Sequence, residues 1–244
     1  MNASRSSQVA RLLAGLIALV IVAGIIRLFS SIQSNRRPDG RVVVCIDPGH
    51  PSESNSARTV QNGTTELAMN WQVALKLRDI LQKDKRIYPI LTRSSMDQYM
   101  RNRKRAQIAN DAHAGIAVHL HCDTGGGQGF TVYYPDRLGM SEGLIGPSFG
   151  VMRASSAAAS ALHEGMVMSL KKRLRDRGIR GESTTYFGHR YGGLTTGIWS
   201  KVPTVTVEMV FLSNRHDAVF IKSKAGQEAM AEALAAGIKR FIVP

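Results

Sequence analysis

A chain of 244 residues is long enough for one medium domain with an appendage, and such a domain buries a core without covalent staples. Two cysteines cannot build a disulfide framework, which excludes the small cross-linked scaffolds. Lys and Arg outnumber Asp and Glu 32 to 18; residues 1–40 hold five Arg and one Asp, so 27 basic against 17 acidic residues leave +10 on the rest. That field favours polyanions, and with few aromatics and no nucleic-acid-binding signature the expected partner is an anionic lipid surface or envelope polymer rather than nucleic acid.

In chain order, residues 12–26 carry no charge; Arg5 and Arg11 precede them, and Arg27, which can snorkel, and Leu28-Phe29 follow. No small-x-small cleavage site precedes Arg36-Arg37, so residues 1–29 are expected to be an uncleaved signal-anchor, with a removed signal peptide as the alternative. Residues 30–40, polar and containing Pro38 and Gly40, read as a linker. On this reading the chain is exported, either anchored in the membrane and facing the periplasm or cell wall, or secreted.

From residue 41 strand and helix patterns alternate. Apolar β-rich runs at 42–46 and 87–91 flank a helix over 65–83 whose Leu67, Trp71, Ala74 and Leu81 share a face. A helix over 99–111 follows, then strands at 115–120 and 129–134. A third helix is expected over 155–177, with Leu162, Met166, Leu170 and Leu174 four apart. A glycine-rich loop leads to a strand at 204–209 and a terminal helix at 224–242. Residues 138–153, rich in Gly and Ser, read as a mobile loop. The basic runs at 101–105 and 171–175 read as solvated helix faces. The order implies a single α/β domain over 41–244, with a mostly parallel or mixed central sheet flanked by helices.

Four residues stand out against this frame. His50 follows the first strand in Asp47-Pro48-Gly49-His50, Glu66 opens the helix after it, and His121 closes the strand at 115–120. Glu208 interrupts the apolar run 205–211, where burying a carboxylate without a purpose is costly. Sites in open α/β sheets lie beyond the carboxyl ends of strands, so all four are expected on one rim. Two His and one Glu leave zinc a position for water, and a spare Glu can act as base. Plainer readings exist: Glu66 as an acid at a helix N-terminus, Glu208 as the ion-pair partner of Arg93.

Around these, Asp47 and Asp123 are expected to orient a ligand imidazole, His119, alternating with His121, to line the pocket, and Arg93 to stand in the pocket or behind a ligand. His189 lies in a loop from which it would reach charge on a substrate, although a loop histidine is more often ordinary. Cys45 and Cys122 read as small buried apolar residues, and Gly125-Gly126-Gly127 as a turn.

At these residues the chain resembles the zinc-dependent N-acetylmuramoyl-L-alanine amidases, bacterial enzymes that separate glycan from stem peptide in peptidoglycan. The strings run in family order over roughly 41–243: Asp47 to His50, Asn62-Gly63 before Glu66, Leu91-Thr92-Arg93, Arg105 to Asn110, His121, and Glu208 to Asn214. The departures are Pro51 where the family usually continues with glycines, and His119 where it usually has serine; they bear on substrate preference more than on the metal. The resemblance implies zinc held by His50, Glu66 and His121, and Glu208 as the base in hydrolysis of the bond to L-alanine. It also implies a peptidoglycan substrate and leaves room for an unidentified protein activator. Amidases of this type can be restrained by an inserted helix; residues 138–153 are the longest candidate and read as a loop rather than a plug.

Overall fold

The computed structural model describes residue 37 and residues 39–53 and 56–242. The expected signal-anchor and most of the linker lie outside these residues, and among the described ones no helix is long and apolar enough to cross a membrane.

The strands are β1 (Val42–Pro48), β2 (Ile87–Leu91), β3 (Ile116–Asp123), β4 (Phe130–Tyr134), β5 (Gly139–Ser141), β6 (Leu144–Gly146), β7 (Asp176–Gly181) and β8 (Thr204–Phe211). Six of them form one sheet in the order β2-β1-β3-β8-β4-β7. β2, β1, β3 and β8 are parallel; β4 runs antiparallel to β8, and β7 parallel to β4. The expected single α/β domain with a mixed central sheet is what forms. Every residue of β1 is buried, as a strand covered on both faces requires.

The period of two divides β1 between two cores. Val42, Val44 and Ile46 join Leu77, Leu162 and Leu234 on one side, from α1 (Glu66–Gln82), α3 (Phe149–Leu170) and α7 (Lys224–Ile242). Val43 and Cys45 face Ala109 of α2 (Asn102–Asp111) on the other. Both thiols are free and buried, and burial pushes both up, which keeps them inert apolar fillers. α3 and α7 cross at paired glycines: a Cβ on Gly165 would lie 2.4 Å from the Gly237 nitrogen, and one on Gly237 would lie 2.6 Å from Leu162 Cα. The neighbours are backbone and cannot yield, so Gly237→Val is expected to destabilise by about 3 kcal/mol, the upper end of ordinary overpacking. A urea titration with an unchanged midpoint would contradict this close crossing.

The third helix differs from expectation at both ends. Ser148 caps it by accepting from the Val151 amide at 3.3 Å, so it begins at Phe149, and it stops at Leu170. Leu174 keeps the four-residue spacing and is buried, but from a turn. The basic run 171–175 therefore lies beyond the helix, and the edge strand β7 follows, with Gly178 at φ +79. Its residues are all exposed or half-buried and offered no alternation to read. Residues 138–153 are not a loop: β5 and β6 pair around Glu142 and Gly143, both at positive φ (49 and 77), the two-residue turn that matches strand twist. The glycine-rich stretch holds α4 (Tyr186–Tyr191) and α5 (Thr195–Ile198), and α6 (Arg215–Lys222) follows β8, capped by Asn214. All three are too short to show a helical period.

The carboxyl ends of β1, β3 and β8 thus meet at one rim, beside the start of β4. The opposite end collects the starts of β1, β2, β3 and β8 and the ends of β4 and β7.

Candidate active site

His50, Glu66 and His121 converge on this rim, each offering a ligand atom within 4.8 Å of the others. Thr65 caps α1 by accepting from the Ala68 amide at 3.2 Å, which sets Glu66 in the first turn, where the helix end favours negative charge. Glu66 Oε1 lies 2.9 Å from His121 Nδ1 and 3.5 Å from His50 Nε2. It also accepts from the Cys122 amide at 3.3 Å and from Asn70 Nδ2 at 3.3 Å. Asn70 is fully buried, one turn after Glu66, and donates to the Gly49 carbonyl as well, at 3.3 Å. A polar residue on the inner face of α1 was the signal that could have found it. Gly49 is required here, since a Cβ would sit 2.3 Å from His121 Cε1.

His50 has φ +59, a left-handed conformation that costs energy in a residue with a side chain and persists only where its surroundings impose it. Arg105 imposes it. Its Nη1 donates to the Pro48 carbonyl at 2.9 Å and its Nη2 to the Pro51 carbonyl at 2.8 Å, so one guanidinium straddles Gly49-His50. Nη1 also pairs with Asp47 Oδ1 at 2.6 Å, and Nε holds the Met100 carbonyl at 3.1 Å. Arg105 is 1% exposed, so this member of the 101–105 run is a core residue and not part of a solvated face.

The remaining expected site residues separate. Asp47 holds His119 rather than a ligand imidazole: its Oδ2 is 2.7 Å from His119 Nδ1, and its Oδ1 also accepts from Thr92. Burial works to raise the Asp47 carboxyl, but the charge of Arg105 and the His119 bond outweigh it and hold the group well below the usual range. His119 is 2% exposed, with Nε2 2.9 Å from Thr204 Oγ1, so it is packed beneath the rim and does not line a pocket. Arg93 does not pair with Glu208. It donates to the carbonyls of Pro48 (3.1 Å), Ser95 (2.7 Å) and Met96 (2.6 Å) and lies over the Trp71 ring. Asp123 accepts from the Thr124 amide at 2.7 Å. Arg177, which the helix reading hid, lies on β7 with its guanidinium 4.8 Å from the centre of the Phe211 ring. His189 sits on α4, which follows the lower end of β7, away from the rim.

Glu208 pairs in register with His121 across β3 and β8, and its Oε2 is buried with no hydrogen-bond partner. Burial pushes its carboxyl up to about 8, helped by Glu66 and Asp123 and opposed by His121. Burial alone would lower His121, but the bond to Glu66 and its charge prevail and raise it to about 9; burial likewise works to raise Glu66, but the His121 bond and the charges of both histidines outweigh it and hold Glu66 below its usual value. A cation entering between the three must displace the His121 proton.

Two imidazoles and a carboxylate on one rim, beside a second carboxylate with an orphaned oxygen, are the layout of a metal-assisted hydrolase. A model of the family described as N-acetylmuramoyl-L-alanine amidase matches residues 44–240, and the chain belongs to that family. Its enzyme class is accordingly that of the N-acetylmuramoyl-L-alanine amidases. The chain is 27% identical over 200 residues to a sporulation-specific N-acetylmuramoyl-L-alanine amidase of Bacillus subtilis, covering 82% of this chain and 68% of the relative. Among solved structures it is similar to the catalytic domain of CwlV, an N-acetylmuramoyl-L-alanine amidase from Bacillus (Paenibacillus) polymyxa var. colistinus, with 26% identity, TM-score 0.64, and 81% and 96% of the two chains covered. It is also similar to an N-acetylmuramoyl-L-alanine amidase from Clostridium difficile 630, with 25% identity, TM-score 0.65, and 82% and 95% covered.

Proposed function

We propose that the protein is a zinc-dependent amidase that hydrolyses the amide between N-acetylmuramic acid and L-alanine in peptidoglycan, exported and tethered to the membrane by its N-terminal apolar run. The observation that carries this reading is the convergence of His50, Glu66 and His121 beside the unpartnered Oε2 of Glu208. The three residues fit a zinc ion in donor type and leave a fourth position open, and zinc bound there supplies Lewis acidity and a water of lowered pKa.

The chain's own groups do the rest. Glu66 contributes the single negative charge among the ligands and is fixed by Asn70 and the Cys122 amide. His50 is fixed through its backbone by Arg105. Glu208, with one oxygen free of hydrogen bonds beside the three ligands, takes the proton of the attacking water and returns it to the departing alanine nitrogen.

His50→Ala and His121→Ala are each expected to abolish zinc binding while the chain still folds. Elemental analysis of the purified variants, alongside circular dichroism, checks this. A folded His121→Ala protein that holds zinc as the parent does would contradict the ligand assignment.

A further inference from the structure

We propose that the end of the sheet opposite the catalytic rim docks on an anionic lipid bilayer. This rests on the membrane-tethered reading above and assigns it a surface.

Met140 and Ile145 are register partners in the β5–β6 hairpin, so they project from one face, and they are 60% and 67% exposed. The alternate positions, Gly139 and Gly146, turn inward onto Ile198, leaving the outer face of the hairpin apolar. Beside the hairpin, Leu138 and Phe149 line a shallow groove of about 650 Å³ together with Arg137 and Arg153. Phe149 is 76% exposed at the start of α3. Arg137 donates to the Gly188 carbonyl at 2.8 Å and so joins α4, which exposes Tyr186, Phe187 and Tyr191. Seven of the twelve exposed large apolar side chains among the described residues fall on this surface, a concentration that marks an interaction site rather than ordinary scatter.

Its charge selects the partner. Of the nearby acids, Asp39 is paired with Arg41, Asp84 with Arg86 and Glu142 with Arg103; Asp136, which lines the groove and accepts from Ser183, and Asp111, at the end of α2, have no cationic partner among the described residues and are outnumbered by the free cations. Arg153, Arg180, Arg190 and Lys201 have no acidic partner among the described residues. Exposed aromatic and aliphatic side chains set among uncompensated cations match the boundary between acyl chains and anionic headgroups. The topology agrees: β1 begins at this end, so the chain enters the domain here. Docked this way, the catalytic rim faces away from the bilayer.

The test uses the full chain with Ile145→Cys labelled by an environment-sensitive nitrobenzoxadiazole dye; Cys45 and Cys122 are buried and escape labelling. Val60→Cys, 67% exposed close to Asn62, which holds the Leu212 carbonyl at the rim, is the control. On vesicles containing phosphatidylglycerol the label at 145 is expected to shift to the blue and brighten while the label at 60 stays in water, and neutral phosphatidylcholine vesicles are expected to weaken the response at 145. A chain that sediments with anionic vesicles while the label at 145 stays in water would overturn the docking and leave the tether standing; failure to sediment would overturn both. Neither result touches the amidase assignment, which is read on peptidoglycan.

Discussion

Glu208→Gln is expected to lower turnover on peptidoglycan by about 10³-fold, within the range by which a positioned general base accelerates proton transfer. Glutamine has nearly the same shape and leaves the β3–β8 register and the three candidate ligands in place, so zinc content should be unchanged. The variant also separates chemistry from folding. In the metal-free protein Glu208 is raised to about 8, so the stability it contributes is present below the ordinary value of 4.5 and is lost as pH rises through 8. His121, raised from 6.5 to about 9, adds loss in the same direction. Glu208→Gln removes the first contribution, so melts taken from pH 5 to pH 8 in chelator should decline less than those of the parent. A variant with parental turnover would remove Glu208 from the reaction; one that loses zinc would show that it shapes the ligand set instead.

Arg105→Met should be the most damaging change away from the ligands. Removing one partner of a buried ion pair leaves the other uncompensated, at a cost of about 3–5 kcal/mol. For a domain of this size that lowers the melting temperature by roughly 10 °C. Asp47 is depressed in the parent, so its stabilisation is present above its ordinary value of 3.8 and is lost as pH falls below it; without Arg105 that acid-side loss should shrink. Beyond stability, the Pro48 and Pro51 carbonyls lose the group that straddles them and His50 loses its enforced backbone, so zinc affinity should fall about 10–100-fold, as when other groups that orient ligands are removed. Arg105→Lys keeps the charge but cannot span both carbonyls, so it should recover more stability than zinc affinity. Parallel losses of both in the two variants would reduce Arg105 to a packing role.

The sequence was most legible where side-chain chemistry and strand position coincide. His50, Glu66, His121 and Glu208 could be expected on one rim because each sits at the end of an apolar strand or the start of the following helix. Their neighbours were not legible, because what they hold is backbone. Arg105 read as one cation in a solvated run, yet its guanidinium serves four groups 5 to 58 residues away. Asp47 sits beside the ligand loop in sequence, but its strand position directs it to His119 and Arg105. In the fold, the long helices and the buried strands carried their periods plainly. Edge strand β7, the β5–β6 hairpin and the short helices α4 and α5 did not, since they are stabilised by turns and caps rather than by a repeating apolar face. The same stretch carries the exposed surface opposite the rim.

The most direct measurement is digestion of isolated peptidoglycan by the purified full chain, with and without a chelator, followed by mass spectrometry of the soluble products. Free stem peptides beginning at L-alanine, absent with chelator and restored by added zinc, are the predicted result. Peptides released equally in the presence of chelator, or cleavage only at another bond, would contradict it.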